Sequence, residues 1–179
     1  MMKISYTQIN NKIKKNTGLV RTINILDRAI TFITIVLYVA LLYLSFVWAV
    51  DGDYTIFYRS ILIPGVSFII VSIYRYMVFA PRPYEVYDFT PVLTKDTAGK
   101  SFPSRHVFSI FIVAATYAQV NIPAALIICL MGIVLAILRV AGGVHFVRDV
   151  IWGMAIGVLC GVIGYGLICG VFGLCVLKF

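Results

Sequence analysis

Five long apolar runs dominate the chain, at about Ile25–Val50, Tyr54–Ala80, Pro103–Val120, Ala124–Ala141 and His145–Leu177. A hydrocarbon core of about 30 Å needs roughly 20 helical residues at 1.5 Å each, so runs of this length can cross a bilayer. Within lipid the backbone must satisfy its own hydrogen bonds, which makes each run a helix. Composition agrees, with 61% hydrophobic and only 12% charged residues, against about 25% charged in a soluble domain. The expected fold is an all-α, polytopic bundle of five spans in the cell membrane. Residues 25–179 form that single domain, and 179 residues leave no room for a separate soluble one.

Residues 1–24 read as an interfacial amphipathic helix, with Ile4, Ile9 and Ile13 loosely on one side. Lys3, Lys12, Lys14, Lys15, Arg21 and Arg28 crowd this end and supply much of the net charge of +8. Without interleaved aromatics they form a membrane anchor and not a nucleic-acid surface. No secretory signal is expected, because the apolar run that follows is too long. Pro64-Gly65 predicts a kink, and Asn121-Ile122-Pro123 a tight turn. Gly153, Gly157 and Gly161, repeated by Gly166 and Gly170, predict close helix packing. Cys129, Cys160, Cys169 and Cys175 lack metal-ligand spacing and read as packing residues.

Counting crossings places four sites on one membrane face: the end of the second span, the start of the third, the end of the fourth and the start of the fifth. There stand Arg75 and Arg82, the stretch Ser101-Phe102-Pro103-Ser104-Arg105-His106, and Arg139, His145 and Asp149. Both histidines of the chain are in this set. A lone arginine such as Arg59 or Arg148 reads as snorkelling to headgroups, but Arg75, Arg82, Arg105 and Arg139 around two histidines call for an anion. Phosphate fits best, because a guanidinium bonds its oxygens in pairs and keeps its charge. Pro103 suits a first helical turn, which would leave the N–H groups of Ser104, Arg105 and His106, with the Ser104 hydroxyl, facing the anion.

The rival is a metal held by His106, His145 and Asp149, which the surrounding fixed positive charge disfavours. With phosphate as the ligand, His145 is placed to act as nucleophile, its ring oriented by Asp149 at i+4. His106 would protonate the leaving oxygen and later activate water. His145 acting directly as a base on water remains the alternative, and phosphoryl transfer is common to both.

The chain resembles the type 2 phosphatidic acid phosphatase (lipid phosphate phosphatase) superfamily, whose signature is Lys-x6-Arg-Pro, Pro-Ser-Gly-His and Ser-Arg-x5-His-x3-Asp. Here these read Arg75-x6-Arg82-Pro83, Pro103-Ser104-Arg105-His106 and Leu138-Arg139-x5-His145-x3-Asp149. The resemblance implies a phosphohistidine on His145 supported by Asp149, with His106 as acid. Arg75, Arg82, Ser104 and Arg139 would bind phosphate, and no metal or other cofactor would be needed. Arg75 departs from lysine, Arg105 from glycine and Leu138 from serine; Arg105 adds a charge that suits a more anionic head or points outward. The family's usual six spans put the site on the extracytoplasmic side. Five spans with a basic N-terminus put it in the cytoplasm, so the two expectations conflict.

The leading function is a metal-independent membrane phosphatase acting on a lipid phosphate or diphosphate, with Tyr84–Phe102 as an interfacial lid or headgroup-reading loop. A lipid phosphotransferase would use the same residues with an acceptor hydroxyl in place of water. An anion transporter would need a continuous polar path, which the nearly uncharged deeper halves of the spans do not offer.

Overall fold

The computed structural model describes residues 2–49, 52–94 and 97–167. It contains α1 (Met2–Lys14), α2 (Thr17–Val47), α3 (Thr55–Met77), the short α4 (Pro83–Tyr87), α5 (Arg105–Tyr117), α6 (Ile122–Ala141) and α7 (Val147–Gly161), and α7 continues into a π-helical turn, Val162–Leu167. There is no strand among the described residues, only a single bridge between Ala80 and Lys100. The polytopic helical reading holds.

Among the described residues four helices are long and apolar enough to cross a membrane: α2, α3, α6 and α7 with its extension. Their large apolar side chains face outward, among them Phe32, Ile35, Ile69, Leu126, Ile137 and Leu159, as expected where the surroundings are lipid. The third expected span differs. Its helix is only the 13 residues of α5, of which eight are buried and Arg105 alone is exposed. The reason is position: α5 is the central helix, packed against α6 and α7 and touched by α2 and α3.

The glycine stripe explains the closest of these packings. A Cβ at Gly153 would meet the Ser104 carbonyl oxygen at 2.7 Å, one at Gly157 the Phe108 oxygen at 2.8 Å, and one at Gly161 the Ala115 Cβ at 2.3 Å. Only hydrogen fits there, so α7 lies on the α5 backbone. Gly166 has nothing within 4 Å, and Gly170, Cys169 and Cys175 lie outside the described residues.

Helix ends follow local chemistry. Asn16 accepts the Leu19 N–H at 3.1 Å and starts α2 well before Ile25, so the first span extends beyond the hydrocarbon and the interfacial helix ends at Lys14. Asn121 accepts the Ala124 N–H at 2.9 Å, with Pro123 in the first turn of α6. Helix α3 runs on through Pro64. Helix α1 packs on α2, α4 and α6, which brings the N-terminus to the end of the bundle that carries the α6–α7 junction.

The segment from Tyr84 to Phe102 is tied down over that junction. Ala80 N–H donates to Gly99 O and Ser101 N–H to Ala80 O, both at 2.8 Å. The Glu85 carboxylate accepts from Arg82 N–H at 2.7 Å and from Gly99 N–H at 3.1 Å. Farther along, Val92 and Leu93 donate to Gly142 O at 3.0 and 3.3 Å, and Asn24 Nδ2 donates to Val92 O at 3.1 Å. Its aromatics pack inward: Tyr84 is buried, Tyr87 lies against Tyr6 and Phe146, and Phe102 against Tyr74 and Trp152. The segment is a fastened cover, and its rings serve packing.

Candidate active site

The α6–α7 junction turns on Gly142-Gly143. Gly143 has φ +78°, and a Cβ on it would meet Asn10 Nδ2 at 2.6 Å and the Phe89 ring at 2.7 Å, so both backbone and space require glycine. The turn returns Val144 and His145 N–H groups to the Arg139 carbonyl at 3.2 and 3.3 Å. His145 is thereby fixed just outside α7, which begins two residues later than the sequence pattern implied.

Asp149 remains on the His145 side. Its Oδ2 is 3.6 Å from His145 Nδ1 and accepts the Phe146 N–H at 2.9 Å, closing the first turn of α7. It also accepts the Ser101 hydroxyl at 2.5 Å, while Ser101 Oγ lies 3.4 Å from the same His145 Nδ1. Ser101 thus sits between carboxylate and imidazole. All three residues are buried.

The other ring nitrogen faces a cation. Arg82 Nη1 is 3.5 Å from His145 Nε2 and donates to Val144 O at 2.8 Å. Nε and Nη2 of the same side chain donate to Thr97 O at 3.0 Å and Lys100 O at 3.2 Å. Burial pushes the His145 pKa down to about 4; Asp149 opposes that shift, and the positive charges of Arg82 and Arg139 add to it. The imidazole is therefore neutral at neutral pH.

The remaining site residues divide between this centre and its surroundings. Arg75 is buried and braces the Lys100–Pro103 segment, donating to Lys100 O at 2.5 Å, to Ser101 O at 3.4 Å and to Pro103 O. Ser104 N–H donates to Asp149 O at 2.9 Å, so it does not point freely at an anion as the sequence pattern implied. Its hydroxyl, however, is fully buried and has no hydrogen-bond partner. An orphaned buried donor beside Asp149 is where a bound oxyanion would be satisfied.

Arg139 is paired with Asp27 of α2, Nε to Oδ1 at 2.8 Å and Nη2 to Oδ2 at 3.2 Å. His106 and Arg105 line a cavity of about 330 Å³ with Thr31, Phe68, Ser109 and Leu135, between α2, α3, α5 and α6. Arg105 is exposed, its guanidinium carbon 5.7 Å from the Phe68 ring centre. Among the described residues no three His, Cys, Asp or Glu side chains gather in a metal-binding group.

This arrangement of signature residues has a family counterpart: the model of the PAP2 superfamily matches residues 55–169, more than half of the chain. The chain belongs to the PAP2 superfamily. No curated protein matches it. Among solved structures it is similar to Aquifex aeolicus LpxE, with a TM-score of 0.59 and 24% identity over 83% of this chain and 93% of the other. It is also similar to the first transmembrane PAP2-type phosphatidylglycerolphosphate phosphatase from Bacillus subtilis, with a TM-score of 0.50 and 19% identity over 94% of both chains. At these identities the likenesses establish a shared fold. As a PAP2 member the chain is a hydrolase of phosphoric esters, and its long apolar helices make it a multi-pass membrane protein.

Three residues of this PAP2 site escaped the sequence pattern. Ser101 lay inside the quoted third-span stretch but carried no motif. Asp27 was legible only as a lone acid in an apolar span, a signal that by itself points to function. Glu85 had no distinguishing spacing.

Proposed function

We propose that the chain removes phosphate from a membrane lipid through a phosphohistidine on His145. The observation that carries this reading is the two-sided environment of one buried ring: Nδ1 faces Ser101 and Asp149, and Nε2 faces Arg82 at 3.5 Å. In the neutral ring with its proton on Nδ1, the lone pair sits on Nε2, beside the cation that would hold the incoming phosphoryl group.

Attack by Nε2 forms the N–P bond as the P–O bond to the lipid breaks, and protonated His106 gives its proton to the leaving oxygen. Arg82 and the Ser104 hydroxyl would meet charge growing on the phosphoryl oxygens, and Arg75 and Arg139 would add positive charge from behind. Asp149 stabilises the imidazolium-like ring once Nε2 is bonded to phosphorus. Water then attacks phosphorus with His106 as base, the N–P bond breaks, and inorganic phosphate leaves. The phosphatidylglycerolphosphate phosphatase of similar fold makes a lipid phosphomonoester a reasonable first substrate to offer.

The test is phosphate release from lipid phosphates by the purified protein in detergent with EDTA. Trapping with 32P-labelled substrate should give an acid-labile, base-stable protein adduct that His145→Gln lacks. An active His145→Gln variant would overturn the nucleophile assignment, and loss of wild-type activity in EDTA would overturn the metal-free mechanism.

A further inference from the structure

We propose that Arg105 is a specificity residue that makes the site prefer a lipid diphosphate over a lipid monophosphate, by stabilising a leaving group that is itself a phosphate. This rests on the phosphatase reading above.

Arg105 is the first residue of α5, set in sequence between Ser104, whose buried hydroxyl is orphaned, and His106. Its side chain does not join the His145–Arg82 centre. It lies over Phe68 and shares the cavity of about 330 Å³ with His106. That cavity is on the leaving-group side, because the acid that protonates the leaving oxygen must stand beside it.

A monophosphate ester departs from phosphorus as an alcohol once His106 has delivered its proton, with no charge left for Arg105 to meet. A diphosphate departs as a lipid phosphate: the bond from the terminal phosphorus to the bridging oxygen breaks, and the negative charge gathers on the departing phosphate. A guanidinium keeps its charge at any working pH. Attraction that grows as the bond breaks lowers the barrier, and does so for the diphosphate alone.

The cavity also indicates a lipid and not a soluble diphosphate. It shares Thr34, Ile35, Phe68 and Ser109 with a second, apolar cavity of about 330 Å³ that continues toward Tyr38 and Pro64 between α2 and α3. Phosphate chemistry at one end and an apolar lane at the other match a head and a tail.

Dodecyl phosphate and dodecyl diphosphate, identical in tail, test this in detergent micelles, with inorganic diphosphate as the tail-less control. Wild type should prefer dodecyl diphosphate in kcat/KM and turn over inorganic diphosphate poorly. In Arg105→Gln the diphosphate-to-monophosphate ratio should fall about tenfold, mainly through kcat, which is the effect of about 1.4 kcal/mol on the barrier. Arg105→Lys should keep part of the ratio, and Phe68→Leu should lower it by freeing the guanidinium. Because Arg105 is exposed, melting temperatures should match wild type.

An unchanged ratio in Arg105→Gln, or an equal fall on both substrates, overturns the proposal. Equal turnover of inorganic and dodecyl diphosphate overturns its lipid part. A wild type that hydrolyses neither dodecyl compound removes the phosphatase reading and this inference with it.

Discussion

Asp27 and Arg139 form a charge pair buried within the bundle, and removing one partner has a calculable consequence. Asp27 is 7% exposed and Arg139 5%, and two contacts at 2.8 and 3.2 Å join them edge to edge. Asp27→Asn keeps the shape and deletes the carboxylate charge that the Arg139 guanidinium meets in a medium of low dielectric. Breaking a buried pair on one side costs about 3–5 kcal/mol. For a chain of this size, where 1 kcal/mol shifts the melting temperature by about 2–4 °C, the midpoint should fall by roughly 6–20 °C. The double variant Asp27→Asn/Arg139→Gln should recover much of that loss, since no charge is left unpaired. Thermal melts of the four proteins in one detergent, read as a double-mutant cycle, give the coupling directly. If Asp27→Asn melts within about 2 °C of wild type, or if the two single losses simply add, the pair is not desolvated and the reasoning fails. Activity tests the role proposed for Arg139 in holding phosphate: if that role is right, the double variant should be stable yet show a raised KM.

Ser101→Ala removes the hydrogen bond to Asp149 at 2.5 Å. Hydrogen bonds to charged groups contribute about 1.5–3 kcal/mol, so kcat should fall roughly ten- to a hundredfold with intact folding, measured as lipid phosphate release. The His145 pKa of about 4 predicts that the free enzyme keeps a neutral nucleophile down to mildly acidic pH, so the acid limb of kcat/KM should lie well below the ordinary histidine pKa of about 6.5. Between those two pH values the unfolded chain binds a proton that the native chain refuses. Stability is therefore lost as pH falls through this window, by about 3 kcal/mol for this group, and His145→Gln should flatten that part of a melting-temperature profile. Gly157→Val should destabilise by about 1–3 kcal/mol, because its first side-chain atom would lie 2.8 Å from the Phe108 oxygen. Gly166→Ala, with nothing within 4 Å, should melt like wild type.

The parts of the fold set by one-dimensional pattern were readable. Long apolar runs must become helices in lipid, and glycines four apart must mark a close helix contact; both are local rules, and α7 against α5 obeys them. The short α5 was harder to foresee, since an apolar run reads the same whether it faces lipid or lies at the centre of a bundle. Within the site, residues of one junction were legible: Arg139, Gly142, Gly143, His145 and Asp149 lie close in sequence, and their spacing constrains their geometry. The partners that come from elsewhere were not. Asp27 reaches Arg139 across 112 residues, and Ser101 reaches Asp149 across 48. No periodicity encodes such meetings, because they depend on how helices pack. The directions of the arginines were equally hidden. Arg75 and Arg82 occupy related motif positions and both bond loop carbonyls, yet of the two it is Arg82 that lies against the His145 ring.

The match to the family model begins at residue 55, but the machinery does not. Helix α1 places the Tyr6 hydroxyl 3.3 Å from the Val147 N–H, on the first residue of α7, and its ring against Phe146 and Tyr87. Asn10, fully buried, fills the space that glycine leaves at position 143. Helix α2 supplies Asp27 to Arg139 and Asn24 to the cover at Val92. Each of these contacts lands on a backbone or side chain within the junction that carries His145, or on the segment fastened over it. If His145 is the nucleophile we propose, its tight turn must be held, because a displacement of about 1 Å at the reacting atoms can cost a hundredfold in rate. The first two helices thus do for the junction what the signature residues cannot do for themselves. Truncation to the matched segment should therefore abolish activity even where α3 to α7 still assemble.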